Sequence, residues 1–198
     1  NADGTLGAWG AWTDLPAVTQ FHGSTAYNGY LFVVGGHNGT SVVSTVYSAK
    51  IASDGTIASS WTTVTNTLPA VRQQLGLVAA GGYLFALGGE SAGATTATST
   101  VYSAPVLSDG ALGTWATLSS TLTTALYGFG STVYNSTNGA SYIYVTGGFT
   151  GAAAVSTTYY TTIKGDGTVT AWATEDTIPA LTQYHTLNAY GSSGLQSA

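Results

Sequence analysis

The chain has 198 residues, enough to bury a full core, and no cysteine, which excludes thiol chemistry, Cys-ligated zinc and a disulfide framework. Only 6% of residues are charged, and three basic residues (Lys50, Arg72, Lys164) against eight acidic ones give a formal net charge of -5. Phosphate recognition runs on clustered Lys and Arg, so nucleic acid is excluded as a partner, and without a run of about 18 apolar residues no membrane-spanning helix is expected.

An ion-poor surface must be built from Ser, Thr, Gly, Asn and Tyr, a composition that points to an extracellular or cell-surface location. Two Asn-x-Thr triplets, at Asn38 and Asn135, are candidate glycosylation sites in that setting. The chain begins at Asn1 and contains no methionine, so it reads as a processed protein or a piece of a longer one.

In chain order, the first expected strand covers 5–12, after Asp3-Gly4 and around Trp9. A linker containing Leu15-Pro16 leads to a strand at Ser24–Tyr27, and the turn Asn28-Gly29 joins it to Tyr30–Val34. This second run is continuously apolar, rich in aromatic and β-branched residues, and ends in Gly35-Gly36, as expected of a strand buried on both faces. A third strand at Thr45–Ala49 follows. Asp54-Gly55 then supplies the positive φ angles of a two-residue hairpin into a fourth strand at Trp61.

The same order then returns. Asp-Gly pairs begin at Asp3, Asp54, Asp109 and Asp166, and each precedes a tryptophan: Trp9, Trp61, Trp115 and Trp172. Leu-Pro or its variants follow at Leu15, Leu68, Leu122 and Ile178, and apolar runs close in Gly35-Gly36, Gly88-Gly89 and Gly147-Gly148. The stretch from Val46 to Gly55 recurs nearly unchanged from Val101 to Gly110, which makes it the third strand and following turn of two successive units, with Tyr47 and Tyr102 in one packing position. No segment keeps a 3.6-residue apolar period, so helices are not expected.

A unit of four short strands in about 50–57 residues, with a paired glycine and a late tryptophan, is a β-propeller blade of the kelch kind. On the three glycine pairs, on Tyr47, Tyr102 and Tyr159 and on the four tryptophans, the chain resembles the kelch repeat family, including its secreted, galactose-oxidase-like members. The resemblance implies an all-β, kelch-like propeller of four-stranded antiparallel blades and says little about ligand. The expected organisation is a single propeller region: residues 1–12 as the last strand of a split blade, blades at 13–64, 65–118 and 119–175, and the start of another at 176–198. Three blades and two single strands do not close a ring, since propellers have about four to eight blades. A longer natural chain, a ring shared between chains, or a head-to-tail filament through the open blade edges would resolve this.

Function in a propeller collects on loops at one face. The loops from fourth to first strand and from second to third share a face and carry Phe21, His22, Arg72, Gln73, Tyr127, Phe129, Tyr184 and His185, with His37 and Glu90 beside them. Aromatic rings with Gln, Asn and His, and little charge, suit a neutral sugar, whose C–H faces stack on rings. His22 and His185 occupy one repeat position, but Leu75 and Phe129 fill it in the other two units, so no metal site is expected. Asp54, Asp109 and Asp166 offer one carboxylate per loop, too few for calcium, and read as turn residues. Glu175-Asp176 point to opposite strand faces and make no glycosidase pair. The absence of cysteine excludes the Tyr–Cys copper chemistry of galactose oxidase, and a lone Arg72 cannot form a sialidase arginine cluster. The expectation is therefore a non-catalytic extracellular or cell-surface module without cofactor, acting as a binding platform or assembly unit toward protein partners or copies of itself. The alternative is a carbohydrate-binding propeller, on its own or as part of a larger secreted enzyme.

Overall fold

The computed structural model describes residues 13–57, 60–91 and 96–187. Among these residues there is no helix, and the strands form three antiparallel four-stranded sheets. The first sheet holds β1 (Gly23–Tyr27), β2 (Tyr30–Val34), β3 (Val46–Lys50) and β4 (Thr62–Thr63). The second holds β5 (Gly76–Ala80), β6 (Tyr83–Leu87), β7 (Val101–Pro105) and β8 (Ala116–Thr117). The third holds β9 (Gly130–Asn135), β10 (Ser141–Thr146), β11 (Thr157–Thr162) and β12 (Ala173–Thr177). Strands consecutive in sequence are neighbours in each sheet, the order that hairpin connections produce.

Period-two alternation makes each sheet two-faced. Phe32 and Val34 point from the first sheet into a core shared with Leu84, Ala86, Tyr102 and Ala104 of the second. The opposite face of the second sheet, with Phe85 and Leu87, packs on Ile143, Val145 and Tyr159 of the third. Phe32, Phe85, Leu87 and Ile143 are fully buried, and each such side chain contributes about 1.5–3 kcal/mol by leaving water. Tyr47, Tyr102 and Tyr159 are buried at the shared position that their spacing indicated. Trp115 is buried as well, and its indole N–H donates to the Asn66 carbonyl at 3.1 Å; Trp61 makes the same bond to the Thr13 carbonyl, also at 3.1 Å.

The Asp-Gly turns differ from the two-residue hairpin expected of them. Only the glycine takes a positive φ, +83° at Gly55 and +79° at both Gly110 and Gly167, while the aspartate stays in ordinary backbone space. The Gly55 N–H donates to the Ala52 carbonyl at 2.9 Å and the Ala52 N–H to the Thr56 carbonyl at 2.8 Å, a three-residue loop. The Asp54 carboxylate accepts the Thr56 N–H at 3.0 Å, so the side chain closes the turn and one left-handed residue suffices. The expected strand at 5–12 lies outside the described residues. Residues 181–187 pair in no strand, and 188–190 lie outside the described residues too.

Candidate functional site at the mouth of the blade array

The paired glycines are required by the chain that follows them. Gly35, Gly88 and Gly147 have φ of +65°, +50° and +64°. A Cβ on each would lie 2.5, 2.7 and 2.5 Å from the carbonyl oxygens of Arg72, Leu126 and Thr182 in the next linker. The second glycine of each pair donates its N–H to that same carbonyl: Gly36 to Arg72 at 2.7 Å, Gly89 to Leu126 at 2.9 Å and Gly148 to Thr182 at 2.7 Å. Only a residue without a side chain admits an approach this close.

Two residues further along each linker a second repeated contact appears. Phe21, Gln74, Gly128 and Tyr184 are left-handed, with φ of +57°, +54°, +60° and +57°. The N–H of Gln74 donates to the Phe21 carbonyl at 2.7 Å, that of Gly128 to Gln74 at 3.0 Å, and that of Tyr184 to Gly128 at 2.6 Å. A hydrogen-bonded ladder thus passes from unit to unit. Left-handed backbone costs a side-chain-bearing residue roughly 1–2 kcal/mol and is costless for Gly128. Sequence inspection missed this ladder, because Phe, Gln and Tyr give no sign of positive φ; Gly128 was the only available hint.

The ladder surrounds an open cavity of about 450 Å³ lined by Phe21, His22, Gln74, Leu75, Gly128, Phe129 and Tyr184. Phe21 and Tyr184 are 52% and 62% exposed there. Among the described residues, no carboxylate and no Lys or Arg lines this mouth.

The other expected site residues are placed differently. The loops do meet in pairs, Gln20 with His37, Gln73 with Glu90 and Tyr127 with Phe149. Glu90 is buried, and its Oε2 accepts Gln73 Nε2 at 2.7 Å and Gln74 Nε2 at 3.1 Å. The Tyr127 ring lies tilted at 56° to that of Phe149 with centroids 5.5 Å apart, and burial, followed by Tyr184 and Glu90, pushes its hydroxyl pKa up. Arg72 is buried over the Tyr102 ring at 5.7 Å, donating through Nη1 to the Val71 carbonyl at 2.8 Å and through Nη2 to the Tyr102 hydroxyl at 3.3 Å. Phe129 is buried against Gly76 and Gly88. His37 accepts the Gly39 N–H at Nδ1. Asn38 and Asn135 are exposed; the first caps its own turn through Oδ1 to the Thr40 and Ser41 amides, and the second accepts Ser141 Oγ at 2.7 Å.

Beneath the mouth, His22 and His185 line a second cavity of about 330 Å³ together with Gly23, Gly76, Gly130, Ser24 and Ser131. Burial lowers the His22 pKa below the ordinary value of 6.5, outweighing a backbone hydrogen bond with Thr19 that raises it. Among the described residues no group of three or more His, Asp or Glu is placed to hold a metal ion.

Three four-stranded antiparallel sheets, with their first strands adjoining and their linkers meeting at one mouth, define an all-β protein of propeller-blade construction, compatible with kelch blades. Residues 19–48, from the linker carrying Phe21 to Ser48 within β3, match the family model of the Kelch motif. That motif marks a binding or structural module. No curated protein matches the chain. No helix among the described residues is long and apolar enough to cross a membrane.

Proposed function

We propose that this chain is a non-catalytic extracellular propeller module whose mouth binds a neutral, partly apolar ligand. The observation that carries this is the pair Phe21 and Tyr184: both rings are exposed and both residues are held in left-handed backbone that glycine occupies at no cost in the third unit. The ladder hydrogen bonds hold this backbone but leave both rings in solvent, and backbone strain concentrates at binding sites. A saccharide ring suits the mouth. Its C–H faces stack on aromatic rings, and the described lining residues are aromatic, aliphatic, amide and imidazole groups that suit a neutral ligand.

The test is a glycan array probed with the folded 198-residue chain and with a Phe21→Gly/Tyr184→Gly double variant. Binding by the first and loss in the second supports the proposal. A folded wild type that binds no glycan ends the saccharide reading, and a double variant that still binds moves the site away from the mouth.

A further inference from the structure

The mouth is the upper end of a longer track. Its cavity shares His22, Leu75 and Phe129 with the cavity of about 330 Å³ beneath it, which in turn shares Ser24, Leu77, Ser131 and Leu187 with a third, of about 240 Å³. The third is lined by consecutive residues: 24–25 of β1, 77–79 of β5 and 131–133 of β9. Successive side chains of a strand point to opposite faces, so two or three in a row around one cavity mean that the strand presents its edge. Sheet order agrees, because β1, β5 and β9 each stand at the end of a four-stranded sheet, and β5 adjoins both of the others. From the ladder at Gln74 down to Ala79 the track runs on the order of 15 Å, at about 3.3 Å per extended residue.

An edge strand directs a row of peptide N–H and C=O groups away from its own ladder. Together with the hydroxyls of Ser24, Thr25, Ser131 and Thr132, these groups make the lower track polar, whereas aromatic and aliphatic groups dominate the mouth above. We infer that the mouth grips one end of a linear neutral glycan and that the following sugars run down the edges of β1, β5 and β9. This rests on the saccharide reading of the mouth and extends it from a single ring to a chain. The change of lining decides the form of the ligand. An apolar chain descending from the mouth would strip water from peptide groups and hydroxyls without replacing their hydrogen bonds. A single sugar reaches only the aromatic end. A chain with hydroxyls on every unit stacks its first ring on Phe21 or Tyr184 and bonds along the track with the rest. An extended peptide fits less well: it ladders with one strand edge, while here three edges share one groove, and hydroxyls donate and accept in any direction.

The test is a length series. The linear glycan that binds the folded 198-residue chain most tightly on an array is compared with its mono-, di-, tri- and tetrasaccharide fragments by titration calorimetry. Wild type is set beside Ser24→Trp, which enlarges an exposed side chain of β1 so that it fills the track. The tetrasaccharide is expected to bind wild type roughly tenfold or more tighter than the monosaccharide, and Ser24→Trp to remove that gain. Ser24→Leu, a smaller plug, takes its place if circular dichroism shows the tryptophan variant to be misfolded. Equal affinity for one sugar and for four, a preference for branched over linear glycans, or a gain that survives the plug overturns the inference and leaves the mouth as a single-ring site. A peptide enriched from a random-peptide library on wild type and lost on Ser24→Trp overturns it in favour of a polypeptide ligand. A wild type that binds no glycan at all ends the saccharide reading of the mouth, and the chain reading with it.

Discussion

Tyr184 donates its N–H to the Gly128 carbonyl at 2.6 Å, and its ring lies across the face of that glycine, so that a Cβ there would stand 2.9 Å from Tyr184 Cε1. Gly128 is thus both a rung of the ladder and the floor under an exposed aromatic ring. Gly128→Ala should cost about 1–2 kcal/mol by denaturant titration, from left-handed backbone at φ +60°, and should displace the Tyr184 ring, seen as an altered tyrosine side-chain spectrum.

The reverse exchange separates stability from binding. Phe21→Gly and Tyr184→Gly relieve left-handed strain but loosen the unfolded chain, so stability should stay within about 1 kcal/mol of wild type. Ligand binding at the mouth should be lost. A large loss of stability in chemical denaturation would show that these rings are core.

Glycines with similar φ should differ sharply in what they tolerate. Gly35→Ala places a Cβ 2.5 Å from the Arg72 carbonyl at a joint between units, whereas Gly29→Ala, at φ +76°, meets nothing within 4 Å. The first should cost at least about 3 kcal/mol and the second only about 1 kcal/mol, a contrast readable in urea midpoints.

Trp115→Ala removes a buried ring that also bonds the Asn66 carbonyl at 3.1 Å, and should cost about 3–5 kcal/mol. A loss below about 1 kcal/mol would mean the ring is not packed between units.

Burial lowers the His22 pKa, so the unfolded chain takes up a proton more readily than the folded one. The stability this group contributes is present above the ordinary histidine value of 6.5 and is lost as pH falls through its folded value. Melting curves between about pH 8 and about pH 5 should show this decline, and His22→Leu should reduce it.

The strands at Tyr30–Val34 and its repeats, the turn glycines and the four-strand unit were legible in the sequence because each depends on nearest neighbours: a two-residue alternation, a β-branched run, a glycine at a reversal. The paired glycines were legible as landmarks, yet their reason lies in the carbonyls of Arg72, Leu126 and Thr182, far along the chain. Arg72, Gln73 and Glu90 were expected on the ligand face from the loops that carry them; the joints between units turn them inward, onto Tyr102 in one case and onto one another in the rest. The left-handed backbone at Phe21, Gln74 and Tyr184 has no local cause at all. It is imposed by hydrogen bonds between positions more than 50 residues apart, and contacts at that distance exist only once the blades have packed.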